Sequence, residues 1–248
     1  RRSIREVQGA TCQGIQHSWH TRNKGDSVEP EMYRRIVGKV MYLVTKIFPE
    51  GSNAARELSR QFGNPSEDHW NELGCFIGYL KLYEKDVKVT YRKPKELRVL
   101  SYVDSNYATN KDDRRSVSGA IHTLGCTITD WLSKTQESTM LSSCEAEYVS
   151  LASGAQEVTF VQMLLKEEVL QCTTPGILME DNTGAIYLVK NQQISARTKH
   201  IDIRWHFIRE LYDRKIVTVK FVRSEDNPSD ICTKNTPEKL QLKHANDM

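Results

Sequence analysis

Two acidic side chains follow stretches of the sequence that have the composition of β-strands. Asp104 comes directly after residues 100–103, and Asp181 comes directly after residues 177–180. Because functional side chains in open sheets gather at the carboxyl ends of parallel strands, we expect both carboxylates at one edge of a sheet. Glu147, near the start of a long helical stretch, can reach the same edge.

A single acidic residue is usually a solvated surface charge, but several converging carboxylates raise one another's pKa values unless a cation neutralises them. Oxygen ligands favour Mg²⁺ or Mn²⁺ over zinc. Two such ions about 4 Å apart can activate a water molecule and stabilise the leaving oxygen of a phosphodiester. The three acids therefore predict metal-dependent hydrolysis of a nucleic-acid backbone.

Two glutamates, Glu145 and Glu147, lie close together at the start of this helical stretch. Ser142 and Glu145 fit the Ser-x-x-Glu capping box, which gives Glu145 a sufficient structural role at the helix N-terminus. Glu147 has no such role. The spacing therefore favours Glu147 as the metal ligand.

The length of 248 residues suggests one large domain or two modest ones, of which we expect two. A content of 38% hydrophobic and 27% charged residues is typical of a globular chain. A net charge of +3 does not by itself indicate nucleic acid.

The six cysteines are far apart, which predicts reduced thiols in a cytosolic or nuclear protein. No apolar run approaches the roughly 20 residues that span a bilayer, and the N-terminus lacks a signal-peptide core, so no membrane association is expected.

The first part of the chain is predicted to be mainly helical. Residues 1–30 have no sustained period and predict an irregular lead-in, followed by a helical region over residues 31–94. Apolar spacing predicts a helix over residues 33–48, ended by Pro49 and Gly51. A second helix is predicted from Ser52 or Asn53, and a third follows the turn at residues 64–67 and runs through Leu80.

Residues 95–238 predict an α/β domain, and residues 239–248 a C-terminal tail. The order of elements is β-β-β-α-β-α-α-β, which specifies a mixed five-stranded sheet with flanking helices. The strands are predicted at residues 97–103, 117–124, 127–133, 177–179 and 216–222, and the helices at residues 142–170, 183–190 and 200–213.

Several segments resemble the ribonuclease H domain of copia-type long-terminal-repeat retrotransposon Pol polyproteins. The most specific is Arg197-Thr198-Lys199-His200-Ile201-Asp202, which continues to Glu210. The others are residues 101–108, 113–119, 141–148, 181–186 and 228–234, and residues 33–43 and 58–70 resemble the tail of the preceding reverse transcriptase. The catalytic aspartates of the polymerase are absent, so the chain looks like a polyprotein fragment or a truncated descendant that does not polymerise DNA.

The resemblance implies a ribonuclease H-like fold and an endoribonuclease that cuts the RNA strand of RNA–DNA hybrids with two Mg²⁺ ions, or Mn²⁺. It implies a metal-binding and catalytic quartet of Asp104, Glu147, Asp181 and Asp230. The choice of Asp230 rests on the resemblance, because after Pro228 it is also a natural helix-start acid. Cellular ribonucleases H carry a histidine in the loop before the last aspartate; residues 223–229 contain none, and Glu225 is a possible substitute.

Basic and polar residues near these acids are the predicted substrate contacts, with a solvated surface as the alternative for the charged ones. Polar side chains beside the catalytic aspartates are candidates for reading the ribose 2′-hydroxyl. The predicted contacts are Ser105, Asn106, Arg114, Arg115, Lys134, Asn182, Lys199 and Arg204.

Two other functions remain open from the sequence. The same metal centre is compatible with a nuclease for another nucleic acid, and a domesticated element would use the domain as a non-catalytic binding or scaffold module. The expected partners are an RNA–DNA hybrid and the remainder of a reverse transcriptase or Pol polyprotein. The expected location is the cytoplasm, in a virus-like particle, or the nucleus.

Overall fold

The computed structural model describes residues 28–83, 89–91, 93–110, 113–168, 170, 172, 175–191, 202–237, 240 and 243–244. The described residues form two compact units. One is helical, and the other, over residues 90–233, is built on a β-sheet. Residues 234–237, which the sequence places at the end of the α/β domain, group with the helical unit. Most of the predicted lead-in and tail lies outside the described residues.

The described residues of the helical unit contain three long helical segments, as predicted. They are α1 (Pro30–Ile47), α2 (Ser52–Ser59) and α3 (Glu67–Tyr83). α1 ends before Pro49, which has no backbone N–H to continue the helix. Its buried face carries Tyr33, Val37, Val40 and Val44, spaced three or four residues apart, and they pack with Leu73 and Phe76 of α3 in one hydrophobic core.

A five-stranded mixed sheet forms the centre of the larger unit. Its strands are β1 (Val99–Asn106), β2 (Val117–Leu124), β3 (Thr127–Thr135), β4 (Gly176–Glu180) and β5 (Val217–Phe221). Their order across the sheet is β3-β2-β1-β4-β5, with β1, β2 and β3 antiparallel and β1, β4 and β5 parallel. The predicted mixed sheet is confirmed.

The α-helices among the described residues of the larger unit are α4 (Ser143–Glu167), α5 (Thr183–Lys190), α6 (Asp202–Asp213) and the short α7 (Asp230–Thr233). A single 3-10 turn, Ser224–Asp226, precedes α7. α4 packs closely on β1, because a Cβ added to Gly154 would stand 2.7 Å from Val103 Cγ1. Residues 200 and 201, the predicted start of the third helix, lie outside the described residues. None of the helices described is long and apolar enough to cross a membrane.

The predicted end of the first strand is wrong, and the difference changes the position of a site residue. The composition predicts that the first strand ends at Val103 and that Asp104 follows it. β1 instead continues to Asn106, and Asp104 is paired with Gly119 of β2. Long-range pairing with an eight-residue partner strand extends β1 past the point where its apolar residues stop.

Candidate active site

Asp104, Glu147 and Asp181 come together at one edge of the sheet. The parallel strands β1 and β4 pair Tyr102 with Met179, so the next positions bring Asp104 level with Asp181. The start of α4 brings Glu147 to the same edge, and one ligand oxygen from each of the three acids lies within 4.8 Å of the others. Asp104 and Glu147 are buried, and Asp181 is half-buried. The predicted convergence of these acids is therefore present.

Glu145 and Glu147 have separate roles at the start of α4. The Ser142 Oγ accepts a hydrogen bond from the backbone N–H of Glu145 at 3.2 Å, which is the geometry of an N-cap. The Glu145 carboxylate accepts the backbone N–H of Leu141 at 2.8 Å, one residue before the cap. The prediction that Glu145 caps the helix is confirmed. Glu147 is the glutamate that joins Asp104 and Asp181, and these three residues are called the acidic group below.

Asp230 begins α7 and is buried. Among the described residues, the group of acids that meets the 4.8 Å distance has three members and does not include Asp230. Its helix nevertheless packs next to Asp104: a Cβ built on Gly119, the register partner of Asp104, would stand 2.4 Å from the Thr233 Cγ2. Asp230 as the fourth ligand stays a prediction that rests on the family resemblance.

Glu180 is a further buried acid at this edge, which the strand pattern predicts only as the last residue of a strand. Its side chain is fully buried, and one carboxylate oxygen accepts the backbone N–H of Asn182 at 2.9 Å. Its other oxygen has no hydrogen-bond partner among the described residues. Burial raises the pKa of Glu180 well above its ordinary value, and the charge of Glu147 raises it further. The sequence does contain a signal for this residue, because Glu180 is an acid next to Asp181 at the end of an otherwise apolar strand.

Two hydroxyl groups donate hydrogen bonds to the acidic group. Ser224, in the 3-10 turn after β5, donates to Asp181 Oδ2, and Thr233, the last residue of α7, donates to Asp104 Oδ2. The bonded residues are 43 and 129 positions apart in the chain, so no local pattern reveals them. Thr233 does lie within the segment, residues 228–234, that carries part of the family resemblance.

The segment before Asp230, residues 223–229, supplies Ser224 to the site in place of a histidine. Glu225, the suggested substitute, is exposed, and its carboxylate lies 3.7 Å from the Arg223 guanidinium. The role suggested for Glu225 stays a prediction.

The donor set suits a divalent cation that prefers oxygen ligands. The described residues that lie close enough to share an ion contribute carboxylates and neither histidine nor cysteine. Such a set favours Mg²⁺ or Mn²⁺. A carboxylate offers about four lone-pair positions, so the hydrogen bonds from Ser224 and Thr233 leave acceptor capacity for a metal. Asp104, Glu147 and Asp181 therefore fit the metal that the sequence predicts.

Two of the three polar residues beside the catalytic aspartates, Asn106 and Asn182, make hydrogen bonds within the fold. Ser105 is buried, its Oγ included, and β1 pairs it with Ser118 of β2, so its substrate contact stays a prediction. Asn106 donates from Nδ2 to the Thr233 carbonyl at 3.2 Å. Asn182 caps α5 by accepting the backbone N–H of Ala185 at 3.0 Å.

Three predicted phosphate contacts lie at the same edge of the sheet as the acids. Arg114 and Arg115 precede the start of β2, which pairs with the end of β1, and Lys134 lies near the end of β3 opposite Ser118. All three side chains are exposed. Arg115 pairs with Asp113 at 3.6 Å, a surface interaction that contributes little stability.

Arg204 is exposed in the first turn of α6. The Tyr148 hydroxyl donates to the carbonyl of Trp205 at 3.2 Å, so this turn of α6 lies beside the end of α4 that carries Glu147. Lys199 lies outside the described residues. The substrate roles of Arg204 and Lys199 stay predictions.

The sheet order and the acidic edge define the larger unit as a ribonuclease H-like domain. Among solved structures, LC11-RNase H1 in complex with an RNA/DNA hybrid is similar at a TM-score of 0.43 and 11% sequence identity, over 57% of this chain and 98% of that one.

The chain is a homologue of the retrovirus-related Pol polyproteins of plant transposons. It is 35% identical over 206 residues to the polyprotein from transposon RE2 of Arabidopsis thaliana. It is 32% identical over 205 residues to the polyprotein from transposon TNT 1-94 of Nicotiana tabacum. Each match covers 83% of this chain but only 14% and 15% of the relatives, so the chain spans about one seventh of their length. No protein-family model matches the chain.

Proposed function

We propose that the chain is an endoribonuclease that cuts the RNA strand of RNA–DNA hybrids during the reverse transcription of a retrotransposon. The observation that carries this proposal is the meeting of Asp104, Glu147 and Asp181 at one edge of a ribonuclease H-like sheet. The homology to Pol polyproteins supports the same function, because ribonuclease H activity removes the RNA template there. The rest of such a polyprotein is the proposed partner of this chain.

Asp104, Glu147 and Asp181, with Asp230 as the fourth ligand, would hold two Mg²⁺ ions, or Mn²⁺. When bound, such ions make a water molecule nucleophilic at neutral pH and neutralise charge on the leaving oxygen. The chain's own residues prepare the site: the burial of Asp104 and Glu147 limits their mobility, and the Ser224 hydroxyl fixes the orientation of the Asp181 carboxylate.

The exposed cations at this edge would hold the substrate. Arg114, Arg115 and Lys134 would contact backbone phosphates, together with Arg204 at the start of α6. Such contacts set the register of a duplex but carry no base specificity. Asn182 accepts the cap hydrogen bond through Oδ1, so its Nδ2 can donate to a ribose 2′-hydroxyl, the group that distinguishes RNA from DNA.

Cleavage of labelled substrates tests the proposal. The full chain is incubated with Mg²⁺, Mn²⁺ or EDTA and with four substrates: an RNA–DNA hybrid, duplex DNA, duplex RNA and single-stranded RNA. We expect cuts in the RNA strand of the hybrid alone, with 5′-phosphate and 3′-hydroxyl ends, and none in EDTA or with Asp181→Asn. Equal cutting of all substrates would indicate a different nuclease, and the absence of cutting by folded protein would refute the enzymatic function.

A further inference from the structure

Thr233 occupies an unusual position for a residue at the end of a four-residue helix. Its side chain is buried, and its Oγ1 donates a hydrogen bond to Asp104 Oδ2. Asp230 and Thr233 are three residues apart, so they lie on the same face of α7. One face of α7 therefore carries both Asp230, the predicted fourth metal ligand, and the hydroxyl that contacts Asp104.

The segment around α7 is attached to β1 on both sides of Asp104. Upstream of α7, the Asn227 Nδ2 donates to the carbonyl of Val103 at 2.8 Å. At the end of α7, the carbonyl of Thr233 accepts the Asn106 Nδ2 at 3.2 Å. These two hydrogen bonds attach residues 227–233 to Val103 and Asn106, which lie on either side of Asp104 in β1.

Gly119 allows this close approach. It is the β2 partner of Asp104, and a Cβ at that position would stand 2.4 Å from the Thr233 Cγ2 and 2.9 Å from the Ser229 carbonyl oxygen. Any side chain there would push α7 away from the sheet. The absence of a side chain at Gly119 is therefore a condition for the hydrogen bond between Thr233 and Asp104.

We infer that Thr233 is a positioning residue, whose hydroxyl fixes the rotation of the Asp104 carboxylate and so sets the direction of its lone pairs toward a divalent cation. The inference rests on the proposed function for its effect on catalysis. Its effect on metal affinity requires only that Asp104 binds a divalent cation. Residues that hydrogen-bond to metal ligands typically change metal affinity or activity by about tenfold to hundredfold when they are removed.

A purely structural role is the alternative for this hydroxyl. Thr233 Oγ1 also lies 3.2 Å from the carbonyl oxygen of Asp230, the backbone contact that threonine makes within many helices. One hydroxyl has a single hydrogen, so it donates to one acceptor at a time. A structural role would lower the stability of the fold and leave the affinity of the folded protein for metal unchanged.

Two variants of the full chain separate these roles. Thr233→Val keeps the shape of the side chain and removes the hydroxyl, whereas Thr233→Ser keeps the hydroxyl and removes the methyl group. The readouts are Mn²⁺ affinity by calorimetry without nucleic acid, kcat and KM on the hybrid, and thermal unfolding in EDTA. We expect Thr233→Val to bind Mn²⁺ about tenfold or more weakly, with a lower kcat and an unchanged KM, and Thr233→Ser to stay within about threefold of the wild type.

Equal Mn²⁺ affinity of the wild type and a folded Thr233→Val would overturn the inference, and so would an equal loss in both variants. If Thr233→Val does not fold, Thr233→Ala takes its place, and the same ordering relative to Thr233→Ser is required. Suppose that the wild type and Thr233→Ser bind Mn²⁺ more tightly than Thr233→Val, but the wild type cuts no hybrid. That result would refute the proposed function and support the positioning role.

Discussion

Acid is expected to destabilise the larger unit through His122. This residue lies in the middle of β2 with 3% of its surface exposed, and its Nδ1 has no hydrogen-bond partner among the described residues. Burial lowers the pKa of His122 from 6.5 to about 4. The folded protein therefore holds a neutral imidazole at pH values where the unfolded chain binds a proton.

The sign and the size of the effect follow from these pKa values. Because the unfolded state binds more protons between pH 6.5 and about 4, the contribution of His122 to stability is present above pH 6.5 and is lost as the pH falls. The loss amounts to about 2 kcal/mol at pH 5 and about 3 kcal/mol in full.

Urea unfolding at a series of pH values from 7.5 to 4.5 measures the loss. His122→Gln removes the titrating group, so the wild type should lose about 2 kcal/mol more than this variant between pH 7 and pH 5. His206→Gln is the matched control, because the side chain of His206 is exposed, and it should keep the wild-type slope. Parallel curves for the wild type and His122→Gln would show that His122 is not the source of the loss.

Three further perturbations have definite expected outcomes. Ser224→Ala removes the hydrogen bond to Asp181 from an exposed residue, so kcat on the hybrid should fall by about tenfold with unchanged thermal unfolding; an unchanged kcat would contradict this role. Gly154→Ala places a Cβ 2.7 Å from Val103 Cγ1 and should destabilise the larger unit by about 1–3 kcal/mol in urea unfolding, whereas wild-type stability would show that α4 can shift freely. Burial raises the pKa of Glu72 to about 7, so the stability of the helical unit should fall as the pH rises from 4.5 through 7. Glu72→Gln should remove this slope and stabilise the protein at pH 8 by about 1–3 kcal/mol; a persisting slope would assign it to other groups.

The elements that the sequence predicts best are those with a strong local signal. The β2 and α5 boundaries, Val117–Leu124 and Thr183–Lys190, agree with the prediction because glycine, asparagine or charged residues interrupt the apolar pattern at their ends. The end of β1 differs by three residues, because pairing with β2 rather than composition decides where it stops. The Ser142 cap of α4 was readable from four residues, since capping is a local interaction.

The acidic group was predictable in part. Asp104, Glu147 and Asp181 were predicted from strand and helix ends; Asp104 lies within β1 but near its end, so the sheet topology still brings the three acids together. The contributions of Ser224 and Thr233 depend on hydrogen bonds between distant parts of the chain, which no spacing in the sequence encodes. The burial of Ser105 likewise depends on the continued pairing of β1 with β2.

Glu145 and Glu147 allow a matched test of whether the acids at this edge of the sheet carry out metal-dependent cleavage. The two residues share the start of α4, but one caps the helix and the other joins the acidic group. The measurement is the rate of RNA-strand cleavage in a labelled RNA–DNA hybrid with Mg²⁺ by Glu147→Gln and Glu145→Gln. We expect Glu147→Gln to cut about a hundredfold or more slowly, because removing a group that only hydrogen-bonds to a metal ligand already costs about tenfold to hundredfold. Glu145→Gln should stay within about threefold of the wild type. Comparable rates for the two variants, or a larger loss for Glu145→Gln in folded protein, would contradict metal-dependent cleavage by these acids.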